Sequence, residues 1–240
     1  MEMTCGRCCR AAIAVAFTVA WASGFPPATA SPGATMYPGM QIYQGGAACM
    51  VGFVEARLRV AVTIGQCDEG SLVTDRDKKM LGTVVVARRQ NTDDSLQAAG
   101  AVEYEVIAVA PDVTATDLLP TGRQLRSTPA LSARQGLPVC QLRVSAGQKC
   151  GIVGPVGNGR FTIADMAVDG RDFGGPVYAL TDDGGAVMVG LYEGIWRSAP
   201  TIESWQAVMA QVYIDTRSRG GQQPSEGVRL AGWQAQVSRR

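Results

Sequence analysis

Residues 61–68, AVTIGQCD, carry an apolar run into a corner formed by Thr63, Gly65, Gln66 and Cys67. A polar corner at the end of a rigid element is where a catalytic side chain is commonly held and exposed to substrate. Gln66 is an amide: it donates and accepts hydrogen bonds, but it does not titrate near neutral pH and cannot serve as a general base. The 240 residues contain no histidine, so no imidazole base can come from elsewhere in the chain. The remaining nucleophile candidates are Ser71, Ser127, Ser132 and Ser145, with no lysine at a recognisable motif spacing. A serine–lysine dyad around Lys78, Lys79 or Lys149 is the one alternative catalyst these residue types leave open.

The adjacent carboxylates Asp93–Asp94 and Asp182–Asp183 lie in NTDDS and TDDGG contexts, which read as solvated turns rather than as metal ligands. No phosphate-cradling glycine loop or dinucleotide fingerprint is present, and neither a cofactor nor a metal is expected.

Residues 1–30 have the pattern of an export signal: Arg7 and Arg10, an apolar run over 11–24, and the small-residue site ATA at 28–30. The run is shorter than the roughly 20 residues of a spanning helix. An uncleaved anchor is the competing reading, and no later segment could span a bilayer. A secreted, extracellular or cell-envelope location follows. Cleavage removes Arg7, Arg10 and Glu2 and leaves 20 basic and 20 acidic side chains. A neutral chain gives no electrostatic case for nucleic acid. The tail from Asp215 holds Arg217, Arg219, Arg229, Arg239 and Arg240 around RGGQQPSEG and reads as a solvated, disordered segment over 215–240.

Cleavage also removes Cys5, Cys8 and Cys9, leaving Cys49, Cys67, Cys140 and Cys150. An even set in an exported chain suggests disulfides, with three possible pairings; the sequential one closes two short loops. A tetracysteine metal site is disfavoured by the lack of close Cys-x-x-Cys pairs.

The elements around these residues are short strands. CMVGFVE, LRVAVTI, GTVVVAR, YEVIAVA, LPVCQLRV, CGIVGPV, RFTIA, GPVYALT and GAVMVGLY are rich in valine and isoleucine and punctuated by Gly, Pro and Asp, which predicts an antiparallel barrel or sandwich. One helix is predicted in SAPTIESWQAVMAQVYID, with Ile202, Trp205, Val208, Met209, Val212 and Tyr213 on a docking face and Ser198 or Thr201 as its cap.

Four of these pieces, in order, resemble the chymotrypsin-like serine proteases, especially the small secreted bacterial type. CMVGF with AVTIGQC resembles the opening segment that carries the family's histidine; VCQLRVSAGQKCGIV resembles its internal disulfide loop. GRDFGGPVYAL resembles the Gly-Asp-Ser-Gly-Gly-Pro nucleophile segment, and VGLYEG the strand lining the specificity pocket. The resemblance spans roughly residues 40–214. It implies an all-β fold of two six-stranded antiparallel barrels with a C-terminal helix over 31–214, an active-site crevice between the barrels, and the pairs Cys49–Cys67 and Cys140–Cys150.

By that resemblance Gln66 occupies the imidazole's place and Phe173 the nucleophile's. Glu103 matches the triad carboxylate, with Glu105 and Asp112 as alternatives. Arg171 replaces an oxyanion-hole glycine, Asp172 matches a buried aspartate that pairs with an internal cation or amine, and Tyr192 and Glu193 line the pocket. Acyl transfer needs a hydroxyl, an imidazole and an orienting carboxylate acting together. The expectation is therefore an inactive protease homologue, binding a protein or peptide through the old crevice; the alternative is a serine hydrolase with relocated or residual catalytic groups.

Overall fold

The computed structural model describes residues 33–67, 69–89, 102–164, 166, 169–196, 199–217 and 228–230. The signal-like segment 1–30 and the Asp93–Asp94 loop lie outside these residues.

The chain enters through β1 (Thr35–Met36) and builds a first sheet from β2 (Gln41–Gln44), β3 (Ala47–Met50), β4 (Phe53–Glu55), β5 (Val60–Thr63), β6 (Leu72–Thr74), β7 (Met80–Arg88) and β8 (Tyr104–Val109). The hydrogen-bonded order is β3-β2-β6-β7-β8-β5-β4. Its two ends are consecutive in the chain, separated only by Val51 and Gly52, so β3 and β4 act as one bent strand that closes six strands into a barrel. β9 (Thr114–Ala115) returns beside β1 in a parallel pair.

After β10 (Leu125–Arg126), the second barrel takes β11 (Pro138–Arg143), β12 (Gly147–Gly157), β13 (Arg160–Ala164), β14 (Pro176–Leu180), β15 (Ala186–Trp196) and β16 (Ala199–Ser204). The order β15-β14-β11-β12-β13-β16, with β15 also pairing β16, closes a six-stranded ring. This is the expected double barrel. Each interior is made by period-two alternation, as in β13, where Phe161 and Ile163 point inward between outward Arg160 and Thr162.

α1 (Trp205–Arg217) follows, and β17 (Val228–Leu230) pairs with β7, so residues 215–217 and 228–230 of the tail expected to be disordered are helix and strand. Here the predicted helix needs correction. Residues 199–204 are strand, because Thr201 and Ile202 complete the second barrel between β13 and β15. Thr201 therefore lies in a ladder rather than at a cap, and Ser198 lies outside the described residues. The helix starts three residues after Ile202, so the docking face is also narrower. Trp205 and Val208 are buried, whereas Met209 and Tyr213 are solvent-exposed. Trp205 packs on Phe53 of β4 at 5.1 Å between ring centroids and donates Nε1–H to Ser127 Oγ at 2.8 Å. At the other end of α1, the Asp215 carboxylate accepts from Arg88 Nη1 (3.1 Å) and Tyr104 Oη (2.7 Å). These contacts bind α1 to the first barrel.

The four cysteines pair sequentially, Cys49–Cys67 and Cys140–Cys150, across 18 and 10 residues. Loops of that length contribute on the order of 3 kcal/mol each through the unfolded state. Cys49–Cys67 also fixes the 3-10 turn Gly65–Cys67 to β3.

Candidate functional site

Two loops and two strand ends meet where the barrels touch. β5 runs through buried Val62 and Thr63 into the turn that presents Gln66, which is exposed while its neighbours Gly65 and Cys67 are buried. Across from it, the segment 170–175 leads into β14. The two are joined directly. The Met50 N–H donates to the Phe173 carbonyl at 2.7 Å, and the Thr63 hydroxyl donates to the Met50 carbonyl, also at 2.7 Å. Gly174 makes this approach possible. Its φ is +78°, and a Cβ there would overlap Thr63 Oγ1 and come within 2.6 Å of the Met50 carbonyl. The Gly174 N–H donates to the Tyr192 carbonyl and the Tyr192 N–H to the Gly175 carbonyl, which pins the turn to β15.

Phe173 itself is half-buried and packs against the apolar cores of both barrels. Its ring lies 5.9 Å from the Tyr192 ring, and a Cβ on Gly194 would lie only 3.1 Å from its edge. The side chain thus fills the junction between barrels and leans on the strand matched to the pocket wall. A phenyl ring offers no lone pair for attack on a carbonyl.

Of the three carboxylates considered for the triad position, Glu103 is the one against the Gln66 turn. A Cβ on Gly65 would fall 3.1 Å from Glu103 Cβ and 2.9 Å from the Tyr104 nitrogen. Glu105 instead points into the first barrel, where Gln44 Nε2 donates to it at 2.6 Å, and burial pushes its carboxyl up to about 8. Asp112 is exposed.

Glu103 belongs to a charged network that motif matching does not reveal. Its N–H donates to Glu203 Oε1 at 3.4 Å, and Glu203 lies 2.7 Å from Arg160 Nη2. Arg160 Nε donates in turn to Glu193 at 2.8 Å. One guanidinium therefore faces the carboxylates Glu193 and Glu203, with Glu103 alongside. Burial pushes the Glu203 carboxyl up to about 8 against the pull of Arg160, with Glu193 and Glu103 adding to the rise. Arg160 and Glu203 carried no motif. Reading residues 199–204 as a barrel strand would have turned Ile202 inward and placed Glu203 on the opposite face, across from Arg160.

The backbone and side chain of Arg171 are engaged locally. The Arg171 N–H donates to Asp169 Oδ1 at 3.1 Å, and its guanidinium closes on the same carboxylate with Nη2–Oδ2 at 2.9 Å. Those bonds hold the Asp169 carboxyl well below the usual range. Asp172 is wholly buried and accepts from Arg143 Nε and the Val144 N–H, both at 2.8 Å. Arg143, at the end of β11, is a second partner that sequence reasoning did not name. Among the described residues, no group of three or more His, Cys, Asp or Glu side chains is arranged to hold a metal ion, and no helix is long and apolar enough to cross a membrane.

Comparison with known proteins places this geometry. No family model matches the chain. The Mycobacterium tuberculosis protein described as "Uncharacterized protein Rv1815" is 40% identical over 207 residues, covering 84% of this chain and 94% of that protein. Thermobifida fusca Protease A superposes with a TM-score of 0.53 at 20% identity, over 75% of this chain and 97% of that one. Cellulomonas bogoriensis chymotrypsin does so with a TM-score of 0.52 at 17% identity, over 82% and 98%. The chain belongs to the same family as the mycobacterial Rv1815 protein, and its fold is that of the chymotrypsin-like serine proteases.

Proposed function

We propose that this is an exported, catalytically inactive member of the chymotrypsin fold that binds a protein or peptide in the crevice between its barrels. The observation that carries this reading is Phe173, a ring in the nucleophile's place that packs into both barrel cores. Gln66 supports it, because no side chain of the protein can act as an imidazole base. So does the Arg171 amide, which is engaged by Asp169 rather than open to a developing oxyanion. The two disulfides support export, since such bonds persist in oxidising compartments.

Treatment of the purified protein with a fluorophosphonate probe, alongside a casein and peptide hydrolysis assay, tests the catalytic half. No labelling and no turnover are expected. Labelling abolished by a single Ser→Ala change would establish a relocated nucleophile and overturn the proposal. For the binding half, a displayed peptide library panned on the protein should yield sequences whose capture weakens at least tenfold in Phe173→Ala. Equal capture by both proteins would move the binding surface away from the crevice.

A further inference from the structure

The edge of β7 changes partner partway along its length. β6 covers it from Met80 to Thr83, and the Val84 N–H donates to the Ser71 carbonyl at 2.8 Å, the last bond from that side. Beyond this point the edge would present unpaired N–H and C=O groups, a surface that accepts any extended chain of suitable register. β17 takes it: Val228, Arg229 and Leu230 pair antiparallel with Arg88, Ala87 and Val86.

The tail is delivered to this place. Asp215, in the last turn of α1, is fastened to Arg88, the same residue that opens the β17 ladder, and to Tyr104 on the neighbouring β8. The connecting residues 218–227 include Gly220, Gly221, Pro224 and Gly227. Three paired residues make few ladder bonds, so the attachment depends on the tether. Covalent connection through these residues makes the pairing intramolecular, which raises the effective concentration of the segment. A contact maintained in this way exchanges with the same segment offered by another molecule.

We propose that the β7 edge at Val86–Arg88 is an exchangeable strand-acceptor site whose occupant is the segment Val228–Leu230, taken from the same chain or from a second copy. Main-chain bonds supply the affinity, with Val228 opposite Arg88 and Leu230 opposite Val86, as in other strand-addition interfaces. The site abuts the Gln66 turn, since a Cβ on Gly65 would overlap the Arg88 carbonyl, but it does not depend on the protein being inactive.

The test uses the full chain carrying Val228→Pro and Arg229→Pro. In any strand one of two adjacent N–H groups faces the partner, so the two prolines together remove a ladder donor whichever faces β7. The probe is a fluorescent synthetic peptide of residues 224–234, followed by anisotropy. The proline variant should bind it, the unaltered chain at least tenfold more weakly, and a peptide with the same two prolines should not bind. Amide exchange over 86–88 should accelerate at least tenfold in the variant, while β11 and β12 stay protected and so report an intact fold. If the variant misfolds, the unaltered chain decides: excess peptide should release protection at 228–230 and leave 86–88 protected. Failure of the variant to bind, equal binding by both chains, equal binding of a scrambled peptide, or rapid exchange over 86–88 in the unaltered chain would each overturn the assignment.

Discussion

Arg143 and Asp172 form an ion pair at the root of the Phe173 turn, Nε–Oδ2 2.8 Å, with side chains 8% and 0% exposed. The Val144 N–H occupies the other carboxylate oxygen at 2.8 Å, so the charge is both paired and hydrogen-bonded. Removing one partner of such a pair strands the other charge in the interior, a loss of about 3–5 kcal/mol. Asp172→Asn should lower the folding free energy by that amount in urea denaturation. A loss below about 1 kcal/mol would mean that water reaches Arg143 and that the turn is fixed by Gly174 and Gly175 instead.

Glu105 and Glu203 give stability a definite slope with pH. Both carboxyls keep their proton up to about 8 in the folded protein and release it near 4.5 when unfolded. Between those values the folded state binds more protons, so stability is fully present below about pH 4.5 and is lost as pH rises towards 8. The slope is at most about 1.4 kcal/mol per pH unit for each group. Arg89 faces Glu105 along with Gln44; Arg160, Glu193 and Glu103 face Glu203. Glu105→Gln keeps an amide beside Gln44 and removes one titration. The fall in unfolding free energy between pH 5 and 8 should then shrink by roughly half. An unchanged slope would place the proton elsewhere.

Gly174 is a close approach between barrels, and its φ of +78° is one an L-residue resists. Gly174→Ala should cost at least about 2 kcal/mol, from the left-handed backbone and from overlap with Thr63 Oγ1. Because the clash lies on β5, increased amide exchange should appear in Val62–Ile64 as well as in the turn. Exchange confined to residues 172–176 would show that the turn gives way without disturbing the first barrel.

Nine strands were legible because their valine, isoleucine and leucine runs end at Gly, Pro or Asp. β2 was not, since one of its two inward residues is Gln44, a polar side chain satisfied only by Glu105, 61 residues away. β6 is too short to show a period. β16 was hidden inside a helical pattern: Ile202 keeps helical spacing with Trp205 and Val208, and only pairing with β13 and β15 makes it strand. The site followed the same division. Gln66 and Phe173 could be named from the order of motifs, because each lies beside a glycine or cysteine that fixes its neighbourhood; Glu103, flanked by Val102 and Tyr104, was named with Glu105 and Asp112 as alternatives. Arg143, Arg160 and Glu203 could not, because their significance rests on long-range charge pairing, which leaves no local pattern.

On the proposed reading, placing a histidine and a serine at positions 66 and 173 should not by itself produce catalysis. Gln66→His with Phe173→Ser would supply a base and a hydroxyl, but two conditions stay unmet. The Arg171 amide still donates to Asp169 Oδ1, and that carboxylate would repel negative charge developing on a substrate oxygen. Glu103, which would have to orient the new imidazole, lies beside Glu203, to which its backbone N–H donates, and Glu203 is itself paired with Arg160. The double variant should therefore stay unlabelled by fluorophosphonate and hydrolyse peptides no faster than the unaltered protein. Adding Arg171→Gly and Asp169→Ala frees the amide and removes the competing charge. An oxyanion donor is worth roughly 10²–10³ in rate, so the quadruple variant should exceed the double by about that factor. If the double variant already matches the quadruple, the amide was available all along, and the two side chains at 66 and 173 were the whole of the defect.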